Sequence, residues 1–206
     1  MSQGFFRQLL RHAVVFDIKQ RIVTRGFRAM QENFSSFFDM NGASNLRILD
    51  VGCGTGLCAK MMFGDGNNIV VGLDSNKDYV KFAQTLYSDL HFVCGDANNL
   101  PFANAAFDLI FLSSVLHHLP DSVSHQLFRS LRGILKEGGK VLVSEPVWSN
   151  RKLSNALLRH DRGQFVKNNQ EYVALIEETF LVTNTFQYRY AATEFLGAVA
   201  IHRTST

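Results

Sequence analysis

The sequence contains little proline, cysteine and tryptophan, and it lacks a long apolar segment. Three prolines and 15 glycines in 206 residues exclude a collagen-like or low-complexity chain. The three cysteines are an odd number without metal-type spacing, which indicates reduced thiols and predicts no metal site. No uncharged apolar run approaches the roughly 18 residues of a membrane span. Charges also stand where a signal peptide would be apolar, at Arg7, Arg11, Asp17 and Lys19. We therefore expect a cytoplasmic protein without a membrane span.

The charge balance is mild and evenly spread along the chain. The chain has 21 basic and 18 acidic residues, a net charge of +3 that does not favour a nucleic-acid partner. The composition is 46% hydrophobic and 19% charged, which excludes a disordered protein. A chain of this length buries roughly 70% of its unfolded surface, so it needs no disulfide or metal to fold.

The hydrophobic pattern changes near residue 45 and predicts two parts. Residues 5 to 39 have apolar positions at three- and four-residue steps, and Asn41-Gly42 ends this helical pattern. We interpret residues 1–44 as a helical cap or lid and residues 45–206 as the main domain. Seven of the 18 phenylalanines precede residue 39. Most of these are expected to be core residues, with Phe5 and Phe6 as candidate lid residues over a hydrophobic substrate.

From Leu46 onward, short apolar strands alternate with amphipathic helices. The predicted strands are 47–51, 68–73, 90–94, 107–112, 140–145, 180–190 and 194–202. The predicted helices are 57–63, 76–88, 122–136, 150–160 and 168–179. This alternation predicts a three-layer α/β sandwich with a mostly parallel sheet. The last two strands have no helix between them, which indicates an antiparallel end to the sheet.

A glycine loop follows the first strand. The segment 50–56 reads D-V-G-C-G-T-G and leads from a strand into a helix, a backbone that approaches a ligand closely. A dinucleotide-binding loop has the spacing G-x-G-x-x-G, whereas Leu57 stands at its third glycine position here. Asp50 would also repel a pyrophosphate.

Two further acids follow the next two strands. Asp74 lies 22 residues after Gly52, where a carboxylate accepts both hydrogens of a ribose diol. Asp96 follows the third strand, at a position suited to an adenine amino group. Three carboxylates around one pocket disfavour a polyanion and favour a nucleoside without phosphates.

The chain resembles the class I S-adenosylmethionine-dependent methyltransferases. The resemblance covers about residues 46–146 and rests on five segments: ILDVGCGTG, the Asp74 turn, GDANNLPF, FDLIFLSSVLHHL and LRGILKEGGKVLVSEP. The two ends of the chain more loosely resemble a bacterial subgroup that acts on small molecules. The resemblance implies a Rossmann-like sheet of seven strands with an antiparallel C-terminal strand.

The resemblance also implies roles for individual residues toward S-adenosylmethionine. Asp50, the loop glycines Gly52, Gly54 and Gly56, and neighbouring Cys53 would surround its methionine half. Asp74 with Ser75 would hold the ribose, and Asp96 with Ala97 the adenine. Ser113, at the end of the fourth strand, would lie near the sulfonium.

Several residues are candidates for the chemistry or for binding the acceptor. His117 and His118 follow the fourth strand and have side chains suited to proton transfer near neutral pH. Pocket architecture is the alternative interpretation of this pair. Glu145 is a candidate substrate residue on the rim of the site. Arg162 and Arg189 would bind an anionic group of the substrate through their bidentate guanidinium groups.

The sequence therefore predicts transfer of a methyl group to an O, N or C atom of a small molecule. One alternative is a reaction on the same cofactor without methyl transfer, such as cyclisation or decarboxylation. Another is an NAD-dependent oxidoreductase, which the glycine spacing disfavours. A nucleic-acid acceptor is disfavoured because residues 113–116 read S-S-V-L instead of an Asn/Asp-Pro-Pro-aromatic motif. The closing strands could also pair two subunits into a homodimer.

Overall fold

The computed structural model describes residues 28–35, 45–64, 67–97, 99–159, 163–190 and 192–203, with Val14 and Asp17. The helices are α1 (Arg28–Ser35), α2 (Leu57–Phe63), α3 (Lys77–Leu86), α4 (Asp121–Ile134), α5 (Lys152–Arg159) and α6 (Asn169–Glu177), with a short 3₁₀ helix at Leu116–His118. The strands are β1 (Arg47–Val51), β2 (Ile69–Asp74), β3 (His91–Cys94), β4 (Phe107–Ser113), β5 (Leu135–Pro146), β6 (Phe180–Tyr190) and β7 (Thr193–His202).

The seven strands form one sheet in the order β3-β2-β1-β4-β5-β7-β6. Neighbours among β1 to β5 are parallel, and β7 is antiparallel to both β5 and β6. The predicted mostly parallel sheet of seven strands with an antiparallel C-terminal strand is confirmed. The strand order reverses between β1 and β4, so their carboxyl ends open a crevice where ligands bind in such sheets.

Each face of the sheet is covered by helices because successive strand residues point to opposite sides. One core contains Ile48 and Phe111 of the sheet and the apolar faces of α1, α2 and α3. The other contains Leu49 and Ile110 and the apolar faces of α4 and α6. The predicted three-layer α/β sandwich is confirmed.

The fifth strand begins earlier than its sequence pattern predicts. Helix α4 ends at Ile134 instead of residue 136, and β5 runs from Leu135 rather than from 140. The pairing with β4 shifts between Phe107 and Leu109, and Gly138 has a positive φ of 74°. An irregular strand start of this kind has no alternating apolar pattern in the sequence. Gly138-Gly139 therefore resembled the end of a helix.

The predicted N-terminal cap is only partly within the described residues. Helix α1 packs on the sheet through Phe34, whose ring meets Phe111 edge to face with centroids 5.9 Å apart. Val14 and Asp17 are also helical. Asn41, Gly42 and the rest of residues 1–44 lie outside the described residues, and the division into cap and main domain stays a prediction.

Candidate cofactor and active site

The glycine loop joins the end of β1 to the start of α2 and is tied to β2. The N–H groups of Gly52 and Cys53 both donate to the carbonyl oxygen of Leu73, at 2.7 and 3.0 Å. Gly52 has a φ of 72°, and a Cβ there would lie 2.6 Å from Val115 Cγ2. The loop therefore requires glycine at this position for its backbone conformation and for its close packing against Val115.

Asp74 ends β2 and connects the glycine loop to the start of α3. One carboxylate oxygen accepts the Gly54 N–H at 2.8 Å, and the other accepts the Asn76 N–H at 2.8 Å. Each carboxylate oxygen has about two acceptor positions, so a lone pair remains on each for a ligand hydroxyl. Asp74 is half-buried beside the loop.

Asp50 is a buried carboxyl group directly beneath the glycine loop. Burial, and secondarily the negative charge of Asp74, raise the pKa of Asp50 to about 8. Its Oδ2 atom is buried and has no hydrogen-bond partner among the described residues. A cationic group in the crevice would satisfy this oxygen and offset the repulsion between the two carboxylates.

The adenine side of the predicted site lies at the end of β3. The Gly95 N–H donates to the carbonyl oxygen of Asp74 at 3.1 Å, which places Asp96 and Ala97 directly beside the β2 end. Asp96 and Ser75 are exposed and Ala97 is half-buried. The structure therefore brings these three residues to the same sheet edge as Asp74.

Cys53 contributes to the loop through packing. Its side chain is buried, and a Cβ on Gly72 would lie 2.8 Å from the Cys53 sulfur. Burial and the nearby carboxylates Asp50 and Asp74 raise the pKa of this thiol. Any contact of Cys53 with a ligand would therefore use its backbone.

Glu145 is not on the rim of the site, and the prediction that placed it there is wrong. The carboxylate is fully buried beneath the segment that follows β4. One of its oxygens accepts the N–H groups of Val115 and Leu116 at 2.7 and 2.8 Å, and the other lies 2.7 Å from His117 Nδ1. Alternation along a strand could not show which side of β5 this residue occupies, because both sides are covered.

The two histidines have different surroundings. His117 is buried, paired with Glu145, and packed so closely against Gly163 that a Cβ there would overlap the ring. His118 is exposed, and its ring centroid lies 4.0 Å from that of His117. Of the pair, His118 is therefore the one that solvent and a substrate can reach directly.

Two residues of the N-terminal segment contact the site. The buried Thr55 hydroxyl of the glycine loop donates to Asp17 at 3.3 Å. Ser113, at the end of β4, lies with its hydroxyl 3.8 Å from the Met30 sulfur. Sequence reasoning did not identify Asp17 or Met30 as site residues, since a charged or apolar position in a helical pattern carries no sign of its tertiary partner.

The remaining predicted substrate residues are only partly placed. Arg189 is exposed on β6 and pairs in register with Glu194 of β7. Because β7 runs antiparallel to β5, both residues lie near the carboxyl end of β5, at the same edge as the glycine loop. Phe5, Phe6 and Arg162 lie outside the described residues.

Fold and site together define an α/β protein with a crevice at the carboxyl ends of β1, β2 and β4, bordered by the glycine loop, Asp50 and Asp74. The family model described as "Methyltransferase domain" matches residues 48–139, which contain the glycine loop, Asp74, Asp96 and both histidines. This part of the chain therefore matches a methyltransferase domain. The recognition from the sequence is confirmed, and with it S-adenosylmethionine as the cofactor.

Curated relatives agree with this assignment. The chain is 30% identical over 107 residues to a demethylmenaquinone methyltransferase of Thermotoga maritima, a match covering 52% of this chain and 46% of that protein. It is 32% identical over 143 residues to the ubiquinone/menaquinone biosynthesis C-methyltransferase UbiE of Vibrio parahaemolyticus, covering 65% and 53%. A tRNA U34 carboxymethyltransferase of Saccharophagus degradans is 31% identical over 131 residues, covering 59% and 38%. The matches span about half the length of these relatives or less.

Solved structures confirm the fold. A SAM-dependent methyltransferase of Aquifex aeolicus superposes with a TM-score of 0.69 at 16% identity, and the match covers 92% of this chain and 96% of that chain. At this identity the likeness shows the arrangement of the sheet and helices alone.

Proposed function

We propose that this protein is a methyltransferase that transfers a methyl group from S-adenosylmethionine to an O, N or C atom of a small molecule. The observation that carries the proposal is Asp50, whose buried carboxyl group has an unpartnered oxygen beneath the glycine loop. The cofactor has a cationic ammonium group at its methionine end, which fits an acidic recess of this kind. A pyrophosphate would meet two carboxylates there instead.

The other predicted contacts follow from the positions of the strand ends. Asp74 would accept the ribose hydroxyls with the lone pairs that Gly54 and Asn76 leave unused. Asp96 and the Ala97 N–H would contact the adenine edge. Ser113 would border the reacting centre, with Met30 covering it from α1.

The bound sulfonium supplies an activated methyl group, so the protein has to align the acceptor and exclude water. In this scheme Glu145 and His117 position the segment after β4, while exposed His118 accepts a proton when the acceptor requires it. Arg189 lies at the same edge and would pair with an anionic group of the acceptor.

The small-molecule acceptor is supported by the relatives whose names refer to quinone biosynthesis. The carboxymethyltransferase relative favours two alternatives at once, a reaction that transfers something other than methyl and a nucleic-acid acceptor. Mass spectrometry of the product distinguishes methyl transfer from transfer of another group, because methyl transfer adds one CH2 unit. Assays with bulk tRNA and with quinone-type phenols distinguish a nucleic-acid acceptor from a small-molecule acceptor.

The cofactor site is tested by thermal unfolding with S-adenosylhomocysteine and, separately, with NAD. Ligand at about 100 times its Kd stabilises by roughly 2.7 kcal/mol, or about 5–10 °C in a domain of this size. We expect a shift with S-adenosylhomocysteine alone, and its loss in Asp74→Ala. Asp89→Ala is the control, because Asp89 is exposed and precedes β3 at the opposite sheet edge. A shift with NAD instead would contradict the proposal. Sedimentation of the same samples would test the homodimer.

A further inference from the structure

Helix α5 exposes large apolar side chains at the edge of the sheet that carries the site. Leu153 is 63% exposed and Leu157 is 45% exposed. They are four residues apart, so they lie one above the other on a single face of the helix. Trp148, just before the helix, is 38% exposed. Exposed apolar residues that lie side by side indicate an interaction surface, whereas apolar residues exposed singly are normal.

The rest of α5 is held firmly, so this exposure is not the result of a loose helix. Ser154 and Leu158 form the buried side, and the Ser154 hydroxyl accepts the Glu194 N–H at 3.1 Å. Ahead of the helix, the Asn155 side chain accepts the Ser149 N–H at 3.1 Å and donates to the Ser149 carbonyl at 2.7 Å.

The helix itself carries charges of one sign. Residues 148–159 include three basic residues and no acidic one. Arg151 lies 3.5 Å from Glu194 of β7, whereas Lys152 and Arg159 are exposed. At 100° per residue, Lys152 and Arg159 share one flank of the helix, beside the Leu153 and Leu157 face. An apolar stripe with a basic flank is typical of helices that lie in a membrane interface.

Trp148 has the geometry of an interfacial anchor. Its indole N–H donates to the Val166 carbonyl at 2.8 Å, and its backbone N–H donates to the Lys167 carbonyl at 3.1 Å. The side chain is thereby fixed with part of its ring in solvent. Tryptophan is enriched at the headgroup level of bilayers because its ring is amphipathic.

We propose that the surface formed by Trp148, Leu153, Leu157 and the basic flank of α5 docks on an anionic lipid bilayer. The described residues contain no helix long and apolar enough to cross a membrane, so the contact would be interfacial. A second copy of the chain is a poorer occupant, because a two-fold contact through this face would bring the basic flanks of both copies together. The docking does not depend on the proposed function. If the docking and the proposed function are both correct, the sheet edge that carries the site faces the bilayer and receives an amphiphilic acceptor.

The test uses the full chain with phosphatidylcholine vesicles that contain or lack phosphatidylglycerol. Trp148 is the single tryptophan of the sequence, so its fluorescence reports on this surface alone. We expect flotation with the anionic vesicles, weakened by salt, and a blue shift of the tryptophan emission. Equal binding to both vesicles, or binding to neither, would overturn the proposal.

Variants locate the contact. Leu153→Ser with Leu157→Ser should lower vesicle affinity by roughly tenfold or more. Lys152→Gln with Arg159→Gln should lower it about 25-fold, at about fivefold for each basic residue near an anionic surface. Leu86→Ser is the matched control, because Leu86 is 47% exposed and ends α3 at the opposite sheet edge. Equal losses in the control would contradict the assignment. Self-association that the leucine variants abolish would instead make this face a contact between copies.

Discussion

Replacing Glu145 with alanine should destabilise the fold and disorganise the segment after β4. This buried carboxylate accepts the N–H groups of Val115 and Leu116 and faces His117 Nδ1 at 2.7 Å. Alanine would leave these donors without their acceptor in an interior where water does not replace it. Val115 in turn packs against Gly52, so the loss would extend to the cofactor loop.

The size of the effect follows from burial. Removing a buried carboxyl group that serves several N–H donors costs about 3–5 kcal/mol, because those donors remain desolvated and unpaired. For a domain of this size the change corresponds to a Tm lowered by about 6–20 °C. Glu145→Gln keeps the shape and one acceptor oxygen, and we expect a smaller loss of about 1–3 kcal/mol.

Thermal unfolding measures both variants, and the chain contains a matched control. Glu178 forms an ion pair with His125 Nδ1 at 2.8 Å, but its side chain is 61% exposed. Glu178→Ala should change stability by about 1 kcal/mol or less, because water screens the pair. A Glu145→Ala variant no less stable than Glu178→Ala would refute the reasoning. So would unchanged affinity for S-adenosylhomocysteine in Glu145→Gln, since the positioning role would then be absent.

Three further outcomes are expected. Asp50→Asn should remove part of the pH dependence of stability. Because the pKa of Asp50 in the folded protein is about 8, the wild-type carboxyl group stabilises the fold below about pH 4. This contribution is lost as the pH rises to about 8. Parallel curves of Tm against pH for the two proteins would contradict this. Gly52→Ala should lower Tm more than Gly138→Ala. Both glycines have φ near 70°, but only at Gly52 would the added methyl group lie within 3 Å of another side chain, that of Val115. Equal losses would show that backbone strain alone determines the effect. Gly133→Ala, exposed in α4 with only a distant contact at 3.8 Å, should stabilise by about 0.5–1 kcal/mol by denaturant unfolding, and a destabilised variant would indicate a contact that the structure does not show.

Local sequence patterns determined most of the fold because each buried strand is a continuous apolar run. The ends of those strands then placed Asp50, Asp74 and Asp96 at one edge, since parallel strands share a direction. The segment 135–139 was not predicted as strand, because the bulge around Gly138 interrupts the apolar pattern.

The parts that could not be predicted depend on contacts between distant segments. Glu145 precedes a proline at a strand end, a position equally suited to a rim residue and to a buried acceptor. Only the fold shows that the N–H groups of 115–117 point at it. The exposure of Leu153 and Leu157 was equally hidden, because an amphipathic helix does not reveal which of two adjacent stripes meets the sheet.

The position of β7 has a consequence for how the chain assembles. β7 follows β6 in sequence but lies between β5 and β6 in the sheet. Until residues 193–202 are available, β6 therefore has no strand to pair with and β5 has an open edge. We expect β6 and β7 to form a hairpin first, by local contacts, and to join the parallel strands together as one unit. Ending the chain before Thr193 would consequently remove two strand pairings at once and detach β6 from the sheet.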